Sequence, residues 1–300
     1  MTNFKRIGIL DHPLRPYTEP VGNRIAASLE AQGIATWHRN QWQADDVADD
    51  VQGSDIVVAI GGDGAMLRAA RVCAPYNVPV LGLNMGRLGF LTEIASPQDW
   101  EACLERLLAG NYWIERRMML KAVINYQRQP LVEGIALNEV LISGNGAGFM
   151  VQLDTYIDGD WATTYSCDAL IVSTPTGSTA YALAAGGPIL PPDLSNILLI
   201  PTSPHLSMDR PIVLSEGSQV AVRASNDNRH EVLVSVDGSH LAPLRENDII
   251  YVTASDYSSR FIRMRERNYF YRSLLDRLEP RVNRIAPEHL KSLKAIEGKL

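Results

Sequence analysis

Apolar residues come in short runs through the first third of the chain, and helical spacing separates several of them. "RIGIL" (6–10) reads as a strand. Residues 21–32 read as a helix with Ile25, Ala26 and Leu29 on one face and Gly33 as its stop. "IATW" (34–37) is a further short strand. "DIVVAI" (55–60) is apolar almost throughout, the pattern of a parallel strand buried on both faces. Residues 64–72 read as a helix and "VPVLGL" (78–83) as the next strand. Ser96-Pro97 opens another helix with a capping hydroxyl and a proline in its first turn, and Gly110 closes it. This alternation predicts an α/β, Rossmann-like doubly wound domain over residues 1–112.

The period changes near Tyr112. "MLKAVINYQ", "EVLISG", "MVQLDTYI", "ALIVSTP", "QVAVRA", "EVLVSVDG" and "DIIYVTA" are strand-like, and Asp158-Gly159 between two of the runs is a hairpin signal. Residues 113–266 are therefore expected to form a β-rich, sandwich-like domain. The tail, 267–300, returns to helix, with Phe270, Leu274, Leu275 and Leu278 at helical spacing. It is expected to pack back onto the first domain, because an apolar helix face needs a surface to cover.

Composition narrows the class. With 300 residues, 46% of them hydrophobic, the chain has room for two modest domains or one large one, and for a sizeable core. A net charge of -6 disfavours nonspecific nucleic-acid binding. Cys73, Cys103 and Cys167 lie far apart and in no zinc spacing, which suits a reducing compartment. No apolar stretch is long enough to span a bilayer, and the first residues hold no secretory core. The expectation is a cytoplasmic protein with no membrane partner.

The candidate chemistry starts at "VVAIGGDGAML" (57–67). Gly61, Gly62 and Gly64 let a ligand approach the main chain where a parallel strand ends and a helix begins, which is where α/β folds bind ligands. Amides at that helix start favour phosphate. Asp63 would repel phosphate unless it takes a proton from an attacking hydroxyl or holds a metal ion. The plainer reading is that it caps the helix. The turn is not a Walker A loop, because the chain holds no GxxxxGK[ST], nor a dinucleotide GxGxxG, since Leu67 stands at the third glycine position.

Four further segments carry two readings each. In "LGLNMGRLGFL" (81–91) Phe90 is either a core residue or a stacking face for a purine. In "ALNEVL" Asn138 and Glu139 are either surface or a donor–acceptor pair for ribose hydroxyls. In "STPTGSTAYALAAGGPI" (173–189) Ser173, Thr174, Thr176 and Ser178 crowd a Pro–Gly turn. Thr179 and Ala180 then lead into a small-residue helix over 180–185, which is either an ordinary capped helix or a close-approach ligand site. Arg68, on the helix after Asp63, is either solvated or turned to phosphates.

Taken together these segments resemble the NAD kinase family. "GGDGAMLRAAR" (61–71), "LGLNMGRLGFLTE" (81–93), "LNEVLIS" (137–143), "DALIVSTPTGSTAYALAAGGPI" (168–189) and "PHLSMDRPIVL" (204–214) match its motifs in order. The GGDG element alone is shared with diacylglycerol, sphingosine and 6-phosphofructo-kinases. The resemblance implies phosphoryl transfer from ATP, with polyphosphate a second candidate donor, to the 2′-hydroxyl of the adenosine ribose of NAD. It implies Asp63 as general base and Gly61, Gly62 and Gly64 at the phosphate donor. It implies Asp63, Gly64, Arg68, Phe90, Asn138, Glu139, Asp168, Thr179, Ala180, Tyr181, Ala182, Leu183 and Ala184 at NAD, with His205 near the site. Mg²⁺ is implied as the divalent ion, held by phosphates and water rather than by a side-chain cage, and a homodimer or homotetramer as the assembly. The chain departs from the family at Phe149, Ser166, Ala169 and Ser239, positions that bear on phosphate and nicotinamide contacts and on NAD against NADH. Two rivals share part of the pattern. A lipid kinase of the diacylglycerol type has GGDG but not "STPTGSTAY". A module that only senses NAD or NADP would need no acid at Asp63.

Overall fold

Both faces of the parallel strands are apolar, so the chain must cover the sheet twice. In the computed structural model, which describes residues 4–40, 44–86, 89–125, 131–146, 148–246 and 248–278, four parallel strands do this. They are β1 (Arg6–Leu10), β2 (Ala35–Arg39), β3 (Ile56–Gly61) and β4 (Val80–Asn84), in the order β2-β1-β3-β4. Ile7, Ile9, Ile56, Val58 and Ile60 bury one face with helices α1 (Glu19–Glu30) and α4 (Trp100–Leu108). Leu10, Val57, Ala59 and Val80 bury the other with α2 (Ala44–Gln52) and α3 (Asp63–Cys73). The predicted strands and helices form, with ends shifted by one to three residues. Helix α2, "ADDVADDVQ", is an element the sequence reading does not contain; Val47 and Val51 are its buried stripe. Ser96 and Asp99 form a capping box ahead of α4, and Gly110 ends the segment at φ 76°.

The β-rich half follows as β5 (Trp113–Asn125), β6 (Val132–Ala136), β7 (Glu139–Gly144), β8 (Val151–Ile157), β9 (Asp160–Cys167) and β10 (Ala169–Ser173). After helix α5 (Tyr181–Ala184) come β11 (Asn196–Thr202), β12 (Ile212–Ser215), β13 (Val220–Ala224), β14 (Val232–Val236), β15 (Ser239–Leu244) and β16 (Ile249–Arg263). Asp158 and Gly159 turn the β8–β9 hairpin with φ of 54° and 90°, the left-handed pair a tight hairpin needs. Six strands make one sheet, β12-β11-β10-β7-β14-β15. The others join the sheet of the parallel strands: β16 lies beside β4 through Phe261 and Val80, and β13, β8 and β9 follow it. A ten-stranded sheet therefore crosses the junction near Tyr112 without a break. β5 pairs with β16 over most of its length and with β6 on its other side. Leu120, Val140, Ile142, Leu153, Tyr165, Leu170, Val222 and Val234 are among the residues that fill the space between the two sheets.

Residues 265–300 form a separate unit from residues 1–264. Its described part holds α6 (Tyr269–Leu278), with Arg265 over the Tyr269 ring at 4.9 Å. Most of the predicted tail, 279–300, lies outside the described residues.

Candidate active site

Strand β3 ends on Gly61 at φ 155°, where a side chain would strike the Ala65 methyl. Gly62 follows in extended backbone and caps α3, its carbonyl accepting the Ala65 and Met66 amides at 2.9 and 3.2 Å. Asp63 is the first residue of the helix and caps none of its amides, contrary to the plainer sequence reading. Its carboxylate turns outward to the segment after β4: Oδ2 accepts the Phe90 amide at 2.8 Å and Oδ1 the Leu91 amide at 2.9 Å. A methyl group on Gly89 would overlap that carboxylate. The glycine of "LGF" thus makes room for the acid of "GGDG". Each carboxylate oxygen has further lone pairs, so the acid is gripped and still able to accept a proton.

Asn138 and Glu139 are held from below by Asp237, a residue the sequence reading missed. Asp237 turns the chain after β14 at φ 47°, and its carboxylate accepts the amides of Leu137, Asn138 and Glu139 at 2.9, 2.8 and 3.2 Å. Burial pushes the Asp237 carboxyl upward in pKa, opposed by those amides and by the charge of Arg71 on α3. Glu139 sits beside it. Burial first, and the Asp237 charge second, push the Glu139 carboxyl up to about 7. Its Oε2 is buried and accepts no hydrogen bond among the described residues. The signal was present as "VDG" after a strand, a turn dipeptide whose acid faces inward.

The hydroxyls of "STPTGST" go mainly into building a turn against that same segment. Thr174 donates through Oγ1 to the Leu137 carbonyl at 2.5 Å and accepts the Gly177 amide at 3.1 Å. Ser173 Oγ donates to the Asn138 carbonyl at 3.1 Å. Ser178 donates to Pro175 and accepts the Leu190 amide, at 2.7 and 2.9 Å. A side chain on Gly177 would run into the Asn138 carbonyl. The helix expected over 180–185 is shorter: a 3₁₀ turn at Gly177–Thr179, then the four residues of α5. Ala182 packs into a core with Ile171, Leu198 and Ile200. Tyr181 and Ala184 are exposed, and Thr179, Ala180 and Leu183 are half-buried.

Three motifs therefore meet. Leu137, which leads into Asn138, shares a core cluster with Ala65 and Met66 of α3 and with Leu91. Arg68 is exposed on α3, and its charge, after burial and Arg15, helps to lower the His12 pKa beyond β1. Asp168 is not brought to the turn: it is exposed at the opposite end of β10 from Thr174, roughly 20 Å along the strand. His205 is exposed beside it, its amide donating to the Ser166 carbonyl at 2.7 Å. The departure at Phe149 has a partner: its ring stacks on His230 at 3.8 Å beside a cavity of about 540 Å³.

A strand-end acid clasped by a neighbouring loop thus shares a core layer with the segment that leads into a held Asn-Glu pair, and that segment is bonded to a Thr-rich turn. Comparison with known proteins names the family. The ATP-NAD kinase N-terminal domain matches residues 16–112, and the ATP-NAD kinase C-terminal domain matches residues 137–264. An NAD kinase of Dehalococcoides mccartyi is 35% identical over 277 residues, 92% of this chain and 96% of that protein. The chain belongs to the NAD kinase family. It is an enzyme of the kinase class. An NAD kinase of Chloroflexus aggregans is 37% identical over 275 residues, 92% of this chain and 99% of that protein. Among solved structures, an NAD kinase from Archaeoglobus fulgidus in complex with ATP superposes with a TM-score of 0.73 at 26% identity, over 90% of this chain and 97% of that one. A yeast NADH kinase complexed with NADH has the same fold, with a TM-score of 0.81 at 22% identity over 93% and 88% of the two chains.

Proposed function

We propose that the chain transfers the terminal phosphoryl group of ATP to the 2′-hydroxyl of the adenosine ribose of NAD, giving NADP. The observation that carries this reading is the Asp63 carboxylate, held by the Phe90 and Leu91 amides at the mouth of a turn of three glycines. A ribose hydroxyl is a very weak acid, so its proton passes to Asp63 as the oxygen attacks rather than before. Gly61, Gly62 and Gly64 leave the backbone open to the donor phosphates, and Arg68 supplies a positive charge near them. Phe90 stacks on the adenine, and Asn138 with ionised Glu139 receives the ribose hydroxyls. The Thr179–Ala184 turn receives the nicotinamide half.

Among the described residues no cluster of three His, Cys, Asp or Glu side chains is arranged to hold a metal ion. Mg²⁺ arriving on ATP would keep its phosphate and water ligands, and bound in that way it would neutralise charge on the phosphates. The same reading makes the assembly a homodimer or homotetramer and the compartment the cytoplasm; among the described residues no helix is long and apolar enough to cross a membrane. The test is direct: purified protein, ATP, Mg²⁺ and NAD, with NADP measured by an NADP-specific coupled dehydrogenase. Formation of NADP supports the proposal. Absence of NADP with a folded protein that binds both nucleotides refutes it.

A further inference from the structure

The seam between β4, β5 and β16 holds a cluster of buried charges that the reaction as described leaves unused. Glu115 and Arg117 lie on one face of β5, and Arg263 ends β16; all three side chains are at most 5% exposed. Glu115 Oε2 receives Arg263 Nε at 2.8 Å and Arg117 Nε and Nη2 at 3.0 Å each. Both guanidinium groups lie over the Phe261 ring, at 5.5 and 5.2 Å. Taking such ions out of water is expensive, and apolar side chains of similar size often serve the fold as well. Stability alone does not account for the cluster.

Its outward contacts do. Arg263 Nη1 donates to the Leu91 carbonyl at 2.7 Å, and Arg117 Nη1 to Thr176 Oγ1 at 3.4 Å. Glu93, two residues beyond Leu91, accepts the Met264 amide at 2.8 Å and lies 3.4 Å from Arg263. Leu91 is thus pinned at both ends of its backbone: its amide on Asp63, its carbonyl on Arg263. A continuous line runs from Asp63 through Leu91, Arg263, Glu115 and Arg117 to Thr176. It joins the loop that clasps the acid to the loop of the Thr-rich turn.

We propose that Arg263 is a positioning residue for phosphoryl transfer. Through the Leu91 carbonyl it aims the Asp63 carboxylate, and through Glu115 and Arg117 it keeps that aim in register with the Thr176 turn. The inference rests on Asp63 being the base. A lysine at 263 keeps the charge, yet one ammonium cannot reproduce the planar fork that reaches Glu115 and Leu91 together. Arg263→Lys should lower kcat about tenfold, with the KM for ATP within about twofold of wild type, as expected for a misaimed group in an intact site. Arg106→Lys serves as the control: Arg106 donates to the Met264 carbonyl nearby but touches neither loop, and its kcat should stay at the wild-type value.

The experiment is single-turnover NADP formation by wild type, Arg263→Lys, Asp63→Asn and the double variant, with melting temperature for each. If Arg263 acts through Asp63, the lysine substitution slows the Asp63→Asn enzyme much less than it slows wild type. Multiplicative effects overturn the inference, as does a folded Arg263→Lys enzyme with undiminished kcat. Glu115→Gln, which loosens the same fork while keeping its shape, must lower kcat in the same sense; unchanged turnover there also overturns it. The base assignment is read separately from Asp63→Asn alone, so the two failures are distinct.

Discussion

Asp63→Asn is the substitution on which the site reading turns, and the structure changes what it should do. Asparagine is usually taken as isosteric with aspartate. Here both carboxylate oxygens accept a backbone amide, from Phe90 at 2.8 Å and Leu91 at 2.9 Å. Asparagine has one acceptor, so its NH₂ must face the other amide, donor against donor. Losing a hydrogen bond to a charged group costs about 1.5–3 kcal/mol. At about 2–4 °C per kcal/mol for a chain of this class, the melting temperature should fall by roughly 3–12 °C. Turnover should fall much further. Removing a positioned base slows the chemical step by roughly 10²–10⁴-fold, equivalent to about 2.7–5.5 kcal/mol of barrier. The assay is single-turnover NADP formation at saturating ATP and NAD, well below the variant's melting temperature, across a magnesium series. A folded variant whose rate stays within about threefold of wild type refutes the base assignment, since that loss is far below the range for such a group. Recovery of the rate as magnesium rises would assign Asp63 to holding the ion instead.

Three other outcomes follow from the same geometry. Gly89→Ala should abolish most turnover with a folded protein, because the added methyl displaces the Asp63 carboxylate; NADP formation at the wild-type rate would show that the clasp is dispensable. Phe90→Ala should weaken NAD binding by about 1–3 kcal/mol, the range for loss of an aromatic stacking face, and ATP binding less; calorimetry showing an unchanged NAD dissociation constant rules out stacking. Glu139, at about 7, should make NAD affinity fall as pH drops below that value, because the protonated acid is a poorer acceptor for ribose hydroxyls. The sign for stability is opposite: the folded state holds this proton more tightly than the unfolded one, so stability declines from about pH 4.5 to 7 and is flat above. Glu139→Gln should remove both dependences and raise stability at pH 8 by about 1–3 kcal/mol; denaturant titrations at pH 5 and 8 that change in parallel for variant and wild type contradict this.

The motifs and the class of fold are legible in the sequence because both are written locally. Gly61, Gly62 and Gly64 around Asp63 announce a ligand turn within four residues, and the doubly apolar strand "DIVVAI" announces a covered parallel sheet. What stayed hidden was supplied from far along the chain. The partners of Asp63 lie at Phe90 and Leu91, and those of Asn138 and Glu139 at Asp237. No periodicity within one segment encodes such pairings. Glu115 and Arg117 stand ahead of the run read as a strand, "MLKAVINYQ", and nothing in their own segment points to Arg263, which meets Glu115. The acidic residues of "ADDVADDV" masked helix α2, although Val47 and Val51 stand one turn apart. Thr179–Ala184 suggested a longer helix than exists, because the hydroxyls before it bind the 137–138 segment rather than extend the helix.

The splice between β4 and β16 has a consequence for biosynthesis. The parallel half leaves the ribosome first, yet the far edge of β4 is closed by Phe261 at its start and by Ile94 at its end. The α3 layer likewise packs on Met119, Leu137 and Phe261. During translation the nascent amino-terminal half must wait with an open strand edge and a bare apolar flank until β16 emerges. An open edge of that kind invites pairing with other chains. Residues 1–112 expressed alone should therefore aggregate, and a ribosome stalled just before Phe261 should display a nascent chain that chaperones hold longer than one stalled beyond Met264.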